Sequence, residues 1–533
     1  MARARVSAIA LILMVLLPCR SNAQIARDSS VDWLVSAGSE GEQYLRVLQV
    51  AGLAPVTQWT IRPFSANAVR ALAAVDSGHP WTGRFNLRAP RHAGFEFVQP
   101  EVVGILNTTF PYGYNDGPIW AGRGLTLAAS GGVRGEFGAL SFTIAPQVFV
   151  AQNASFPLAP NGFAGRGAFA DPAYPGTIDL PQRFGSSVYA RGDLGESRIQ
   201  VAVAHFAAGL SSGSEAWGPA ASDPLLLGTN AAGFPHAFLG TDQGLRLGAV
   251  TVGFRAIAGQ LQQSSYSPVT GAGRRLLTGA ITSISLRQLP GLEVGFARVF
   301  ESAWPDSGLS LSEILSPLAK NPFKAKLTRQ TGSNSDQPDN EIASVFARWL
   351  LPRAKLEFYG ELAREDNAFD VRDLILEPDH DIAYTLGLQR AWLRDSNELF
   401  MLHAEVVNSA ISHLANVRLQ TPFYVHTFVQ QGHTQRGQLL GSSSAFGGGG
   451  AVVSLNWFDA RGRRTISWRR SLREPPDSPV GKRDVIHALT AEWLSFHRGF
   501  DLKPEVTLAY NLNRNAQGDA LDARAAMTLQ AHW

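Results

Sequence analysis

The sequence predicts an all-β transmembrane barrel of about 18 antiparallel strands, with a small N-terminal α-helical periplasmic domain. Three observations predict it. The last stretch, Ala520 to Trp533, has two unlike faces: Ala525, Met527, Leu529, Ala531 and Trp533 on one, Arg524, Thr528, Gln530 and His532 on the other. A strand apolar on one side and polar on the other suits a wall between lipid and a wet lumen. The same period-two pattern recurs along the preceding chain, and the connections between the runs switch regularly between short and long. The composition agrees, with 52 glycines, 10% aromatic and only 17% charged residues, a mix that favours β structure over a helical or disordered chain.

The N-terminus reads as a secretory signal over residues 1–23. Arg3 and Arg5 supply the basic start, Val6 to Leu17 the apolar run, and Ser21-Asn22-Ala23 the small-x-small cleavage site. A lipoprotein signal on Cys19 is the rival, but Pro18 before it and Arg20 after it fit badly. Cleavage removes the only cysteine, three of the 47 basic residues and none of the 44 acidic ones. The mature chain is then electrically balanced, which disfavours nucleic acid as a partner. No later apolar run approaches the roughly 20 residues of a membrane helix, so a membrane would be crossed by strands.

Residues 24–90 have a different character and are expected to form the N-terminal helical domain. Glu42 to Ala51 places Tyr44, Leu45, Val47, Leu48 and Ala51 at helical spacing, with Gly52 as a stop. Ser65 can cap a second helix running to about Val75, and Arg84 to Pro90 link onward to the barrel, residues 91–533. Across the barrel the short connections are Gly138-Ala139, Gly195-Glu196, Gly248, Leu289 to Gly291, Leu351 to Arg353, Leu393 to Asn397, Ala460 to Gly462 and Arg498-Gly499. Between them fall long ones, among them Asn153 to Gly185, Ala208 to Pro235, Pro305 to Asn340 and Ser409 to Gly448. Tight turns at one end and long loops at the other, with an even strand count, are the habit of outer-membrane barrels.

Individual strands carry the same reading. Phe358 and Leu362 alternate with Glu357, Tyr359 and Glu361, and Phe400, Leu402, Ala404 and Val406 alternate with Met401, His403 and Glu405. A charge at the bilayer centre costs ~2–4 kcal/mol, so the charged sets must face the lumen. Trp349, Trp392, Trp457, Trp468 and Trp493 sit where interface-belt aromatics belong. The run Glu341 to Leu350 is muddled, and its facing is left open. A terminal aromatic also resembles the signal by which bacterial outer-membrane barrels are recognised for insertion.

Two loop segments stand apart. The first is Trp217-Gly218-Pro219, followed by Leu225 to Ala231, which includes Asn230, and by Phe234-Pro235. The second is Gln431-Gly432-His433-Thr434-Gln435-Arg436-Gly437, then Leu440-Gly441 and the glycines 447–450. With these the chain resembles the Wzi family of capsule-assembly outer-membrane proteins, in which a W-G-P stretch leads into an N-A-x-x-F-P segment. It departs in carrying Ala220 where a glycine is expected after the proline. The resemblance implies a lectin-like role without catalysis: binding capsular or other surface polysaccharide, with outer-membrane lipid and other capsule-export components as further partners.

Sugar sites stack apolar faces on aromatic rings and hold hydroxyls with amide, carboxylate and guanidinium groups. The candidate ligand residues are therefore Trp217, Asn230, Trp304, Lys324, Lys326, Tyr424, His433, Gln435 and Arg436. Each has a bland alternative: the rings can pack loops together, the Lys320 to Arg329 cluster can be a solvated face or a lipid-phosphate contact, and His433 can serve a glycine-rich loop. Ser310-x-x-Glu313 forms a capping-box pattern that predicts a short helix. No H-x-x-x-H or H-E-x-x-H spacing occurs and no nucleophile–base spacing is legible, so no metal, cofactor or catalytic residue is expected. The alternative function is a porin or diffusion channel, since about 18 strands can enclose an aqueous lumen. The expected location is the outer membrane of a Gram-negative-type bacterium, loops at the cell surface and the N-terminal domain in the periplasm.

Overall fold

The computed structural model describes residues 35–532 apart from 66, 70–77, 83–93, 270–272, 307, 320–338, 366–370, 396, 412–419 and 474–482. The proposed signal, the Arg84 to Pro90 link, most of the second N-terminal helix, and Lys324 and Lys326 all lie outside these residues. Eighteen antiparallel strands close on themselves. The first six are β1 (Gly94–Asn107), β2 (Gly124–Phe137), β3 (Leu140–Ile144 with Gln147–Ala151), β4 (Tyr189–Asp193 with Arg198–Val203), β5 (Phe206–Ser211) and β6 (His236–Thr241 with Leu245–Leu247). Next come β7 (Val250–Gln262), β8 (Arg274–Leu286), β9 (Leu292–Ala303), β10 (Asn340–Leu351), β11 (Leu356–Glu365) and β12 (Ile382–Asp395). The circuit ends with β13 (Glu398–Asn408), β14 (Gly448–Asp459), β15 (Gly462–Arg473), β16 (Asp484–His497), β17 (Phe500–Leu512) and β18 (Ala520–Ala531). β18 seals the wall against β1, from Glu101 opposite Gln530 to Asn107 opposite Arg524. Closure leaves no open edge, as a strand wall in lipid requires.

The two faces are those the alternation predicts. In β11, Glu357, Tyr359, Glu361, Ala363 and Glu365 are buried inward while Phe358 and Leu362 are exposed outward. Lipid-facing side chains are correspondingly open, with Ile466 at 61% and Leu489 at 56%. Where the ladder breaks, proline explains it. The register of β1 against β2 slips between Val98 and Glu101, around Pro100, which has no N–H to donate.

One expectation needs correction, and one facing left open is settled. Gly195-Glu196 is not a turn between strands but an irregularity inside β4, where Gly195 takes φ +57° and donates its N–H to the Asp193 carboxylate at 2.9 Å. The local turn chemistry is present, yet the chain runs on, and it reverses at Ala204-His205, with Ala204 at φ +55°. β5 is consequently short, and the chain leaves the wall at Ser212 to enter the lumen. In β10 the even-numbered residues Ile342, Ser344, Phe346, Arg348 and Leu350 face inward. Ile342, Phe346 and Leu350 break the polar-inside rule because at that flank the lumen holds apolar protein rather than water.

Helix α1 (Glu40–Val50) is capped by Ser39, whose Oγ accepts from Glu42 N at 3.2 Å. Its Tyr44, Leu45, Val47 and Leu48 pack with Trp59 and Trp81 against the inward-facing Leu350, Ala391, Leu399, Met401 and Phe458 of the wall. The helix thus shares one core with the short-turn end of the barrel. Ser65 accepts from Ala68 N at 3.1 Å, as a cap would. The Ser310–Glu313 capping box forms as its pattern predicts, at the head of Leu311–Ile314.

Candidate functional site

Two bodies enter the lumen from opposite ends and meet inside it. From the short-turn end comes the segment after α1, whose Ile61 and Arg62 pair antiparallel with Trp217 and Ala216 of the β5–β6 loop, residues 212–235. Gly218 N donates to Thr60 O at 2.9 Å, and Arg62 Nη2 returns a bond to Gly218 O at 2.8 Å. The W-G-P stretch is this junction. Trp217 is fully buried, its indole N–H on Glu215 at 3.2 Å. Gly218 sits at φ +87°, which glycine adopts without strain, and a Cβ there would displace the Glu361 carboxylate, 2.7 Å away. Pro219 offers its carbonyl to Arg46 Nη2 at 2.7 Å.

The wall answers with buried charge. Glu357 is shared by Arg46, at 3.1 Å, and by Arg348. Glu405 accepts the backbone N–H groups of Ala221, Ser222 and Asp223 at 2.6–3.1 Å. Glu293 accepts Trp59 N at 2.9 Å and Thr60 Oγ1 at 2.6 Å. Each carboxylate would be costly in this setting if left unpaired, and each is held by charge-assisted bonds. Glu215, in the β5–β6 loop, is pushed up by burial, but Arg255 and His236 outweigh that and hold it at about 2.

The β13–β14 loop, described over 420–447, covers the junction from the long-loop end. Tyr424 is fully buried, stacks on His433 with ring centroids 5.3 Å apart, and donates its OH to Leu225 O at 2.7 Å. His433 lies between the Glu301 carboxylate and Leu226 O, the latter at 2.5 Å. Gln435 is buried and accepts Gln262 N at 2.8 Å. Asn230 donates to Leu439 O at 2.9 Å, tying the two loops together. Arg436 pairs with Asp193 at 2.8 Å and keeps part of its side chain in solvent. Trp304 stands apart from this group, half-buried just beyond the end of β9.

Of the nine candidates, then, Trp217, Asn230, Tyr424, His433, Gln435 and Arg436 are brought together as the material of the lumen filling. Sequence reasoning passed over two exposed rings at the long-loop end, Phe428 at 71% and Phe163 at 47%. The loops carrying them touch, Asp179 N donating to Gln431 O at 2.9 Å. A search for Trp and Tyr alone does not reach phenylalanines; a search for apolar rings among Gly, Asn and Thr would have. Among the described residues no three His, Cys, Asp or Glu side chains gather in a way that could hold a metal ion.

A closed 18-strand antiparallel wall, apolar outside and filled with its own loops and N-terminal segment, defines an outer-membrane β-barrel with an occupied lumen. The chain belongs to the family described as Capsule assembly protein Wzi, whose profile matches residues 114–518. Among solved structures it is similar to Wzi of Escherichia coli, described as an outer membrane protein involved in group 1 capsule assembly and a carbohydrate-binding β-barrel. The identity is 14%, the match covers 93% of this chain and 98% of that one, and the TM-score is 0.64. It is also similar to OprD of Pseudomonas aeruginosa, at 9% identity over 82% of this chain and 92% of that one with a TM-score of 0.39. None of the curated proteins compared by sequence matches.

A pH response follows at the short-turn end. Glu40, at the start of α1, accepts from Arg463 Nη2 at 3.1 Å and Lys503 Nζ at 3.0 Å. Burial alone would raise its carboxyl, but the two cations outweigh it and hold the group at about 2, below its ordinary 4.5. A depressed carboxyl contributes stability that is complete above its unfolded value and fades as pH falls toward the folded one. The fluorescence of Trp59 and Trp81 is therefore expected to stay constant from neutrality to about pH 4.5 and to shift below it, with a shallower acid response in Glu40→Gln. An identical response in both proteins would remove Glu40 from this role.

Proposed function

We propose that the chain serves its family's role in capsule assembly by holding surface or capsular polysaccharide at the long-loop end of the barrel, as a lectin-like binder and not an enzyme. The observation that carries this reading is the filled lumen. Wall carboxylates hold the entering loops by their backbone, the loops hold the N-terminal segment, and the part left to meet a large ligand is the outer surface of the loops. There Phe428 and Phe163 offer apolar faces for stacking, with Thr427, Gln430 and Asn161 as hydrogen-bonding neighbours. Arg436 and Trp304, partly open, remain candidates for contact. Trp217, Tyr424, His433 and Gln435 act in this reading by fixing the shape of the loops.

The long loops lie at the cell surface in this account. The short-turn end, where the N-terminal segment enters the barrel, faces the periplasm, and its turns are where capsule-export components would be met. The outward Trp349, Trp392 and Trp493 meet lipid at the barrel's interfaces. Co-sedimentation with the source organism's own capsular polysaccharide tests the binding. Saturable binding is expected, weakened in Phe428→Ala by about 1–2 kcal/mol, roughly five- to thirty-fold. Correctly folded protein that binds no polysaccharide would end the lectin reading.

A further inference from the structure

The two flanks of the lumen are unlike. Inward side chains of β8 to β12, such as Leu277, Ile281, Val299, Ile342 and Ala383, are packed tightly against the filling. On β14 to β17 the middle of the inward face is small and polar. Ser454, Ser467, Thr490 and Thr507 stand directly opposite one another across four neighbouring strands. Their neighbours Leu455, Ile466, Leu489 and Leu508 are exposed on the lipid side, so this row faces inward. At ~4.8 Å per strand the row spans roughly 15 Å. Nearer the short turns lies a second row, Asn456, Thr465, Glu492 and Glu505. Ser454, Ser467, Thr490, Asn456 and Thr465 all remain partly exposed although they point into a closed barrel. The space before them is an open chamber.

The charged groups beside it are held in ion pairs, with carboxylates in excess. Toward the short turns Arg463 pairs with Glu40 and Glu492. Arg524, opposite Thr507 on β18, pairs with Glu505 of the second row and with Asp116 of the loop above, and nearer the loops Arg469 pairs with Asp223 beneath the Tyr114 ring. The row of hydroxyls itself is neutral. Thr465 donates to Asn456 Oδ1 at 2.8 Å, and Thr490 and Thr507 share a bond at 2.8 Å. No bond to a described residue is made by the Ser467 hydroxyl. Beside the row, the buried Asp522 Oδ2 and Arg524 Nε also have no hydrogen-bond partner among the described residues.

We propose that this chamber binds a neutral polyhydroxylated molecule, an uncharged sugar of one to a few units, at a site separate from the loop surface. Hydroxyl and amide groups both donate and accept, and so complement a ligand of the same kind. An anion would meet carboxylates in excess of cations, and an apolar solute would leave the hydroxyls unpaired. The inference stands whether or not the loops bind polysaccharide.

The sequence holds one cysteine, Cys19. In a Cys19→Ser background, Ser467→Cys therefore supplies a single thiol in the full chain, and Ala363→Cys supplies one on the packed flank. Both are reacted with a small water-soluble thiol reagent in detergent, after retention of heat-modifiable mobility shows that the barrel is folded. The thiol at 467 is expected to react at least tenfold faster than that at 363, and maltotriose is expected to slow it several-fold while glucuronate does not. Equal rates at the two positions would show that no chamber is open. Failure of maltotriose to protect, or equal protection by glucuronate, would overturn the neutral-sugar assignment. Co-sedimentation of the Ser467→Cys protein with capsular polysaccharide reads the loop surface separately, so failure there leaves this test intact.

Discussion

Replacing Glu357 with alanine is expected to loosen the N-terminal segment in the barrel and to cost about 3–5 kcal/mol, the usual effect of removing one partner from a buried ion pair. Glu357 is fully buried and serves two guanidinium groups, Arg46 from α1 and Arg348 from β10. Its loss leaves both cations in a dry setting, Arg46 with the Pro219 carbonyl and the Tyr359 ring, and Arg348 with the Gln49 amide, the Thr57 carbonyl and a longer pairing to Glu293 at 3.9 Å. Even the lower figure shifts the seated-to-unseated ratio by more than a hundredfold. Urea titration followed by tryptophan fluorescence, with limited proteolysis of the N-terminal segment, reads both consequences. The carboxylate is not the anchor if Glu357→Ala resists urea and protease as well as the parent chain does.

Trp217→Ala is expected to have a comparable effect by a different route. A fully buried tryptophan removed from a packed core costs about 3–5 kcal/mol through lost burial and the cavity left behind. Trp217 sits where the β5–β6 loop pairs with Ile61, packed over Gly279 of β8 and among Leu225, Leu226 and Phe234. Its loss should free the loop from the N-terminal segment while β7 to β18 hold their register. The expected result is proteolytic cutting within 212–235, with an unchanged β-type circular dichroism spectrum. A loop that stays resistant would mean the junction is held by the Arg62 and Glu405 hydrogen bonds alone.

These two residues show what could be read in the sequence and what could not. The strand faces were legible because lipid and lumen make opposite demands on alternate residues, as Phe358 and Leu362 against Glu357 and Glu361 show. The rule failed at β10, where Phe346 and Leu350 face a lumen filled by α1 and the β5–β6 loop rather than by water. It failed again at Gly195, because a local turn signal does not say whether the chain reverses. The loop motifs were legible as special but not in their role. Trp217, Tyr424 and His433 have the chemistry of a sugar site, yet the loops carrying them fold inward, a tertiary fact that no local pattern states. Phe428 and Phe163 were missed for the converse reason, since exposure of an apolar ring is set by loop packing and not by residue type. The hydroxyl rows across β14 to β17 depend on strand register, which alternation alone leaves undetermined.

The central claim is that the barrel is occupied along its axis, so that it presents a surface and not a passage. Single-channel recording of the purified protein in a planar bilayer at neutral pH addresses it directly. The account predicts a closed trace, in which any current is brief and irregular. A steady ohmic conductance of the size that an open barrel of about 18 strands would carry would contradict it and return the porin reading to first place.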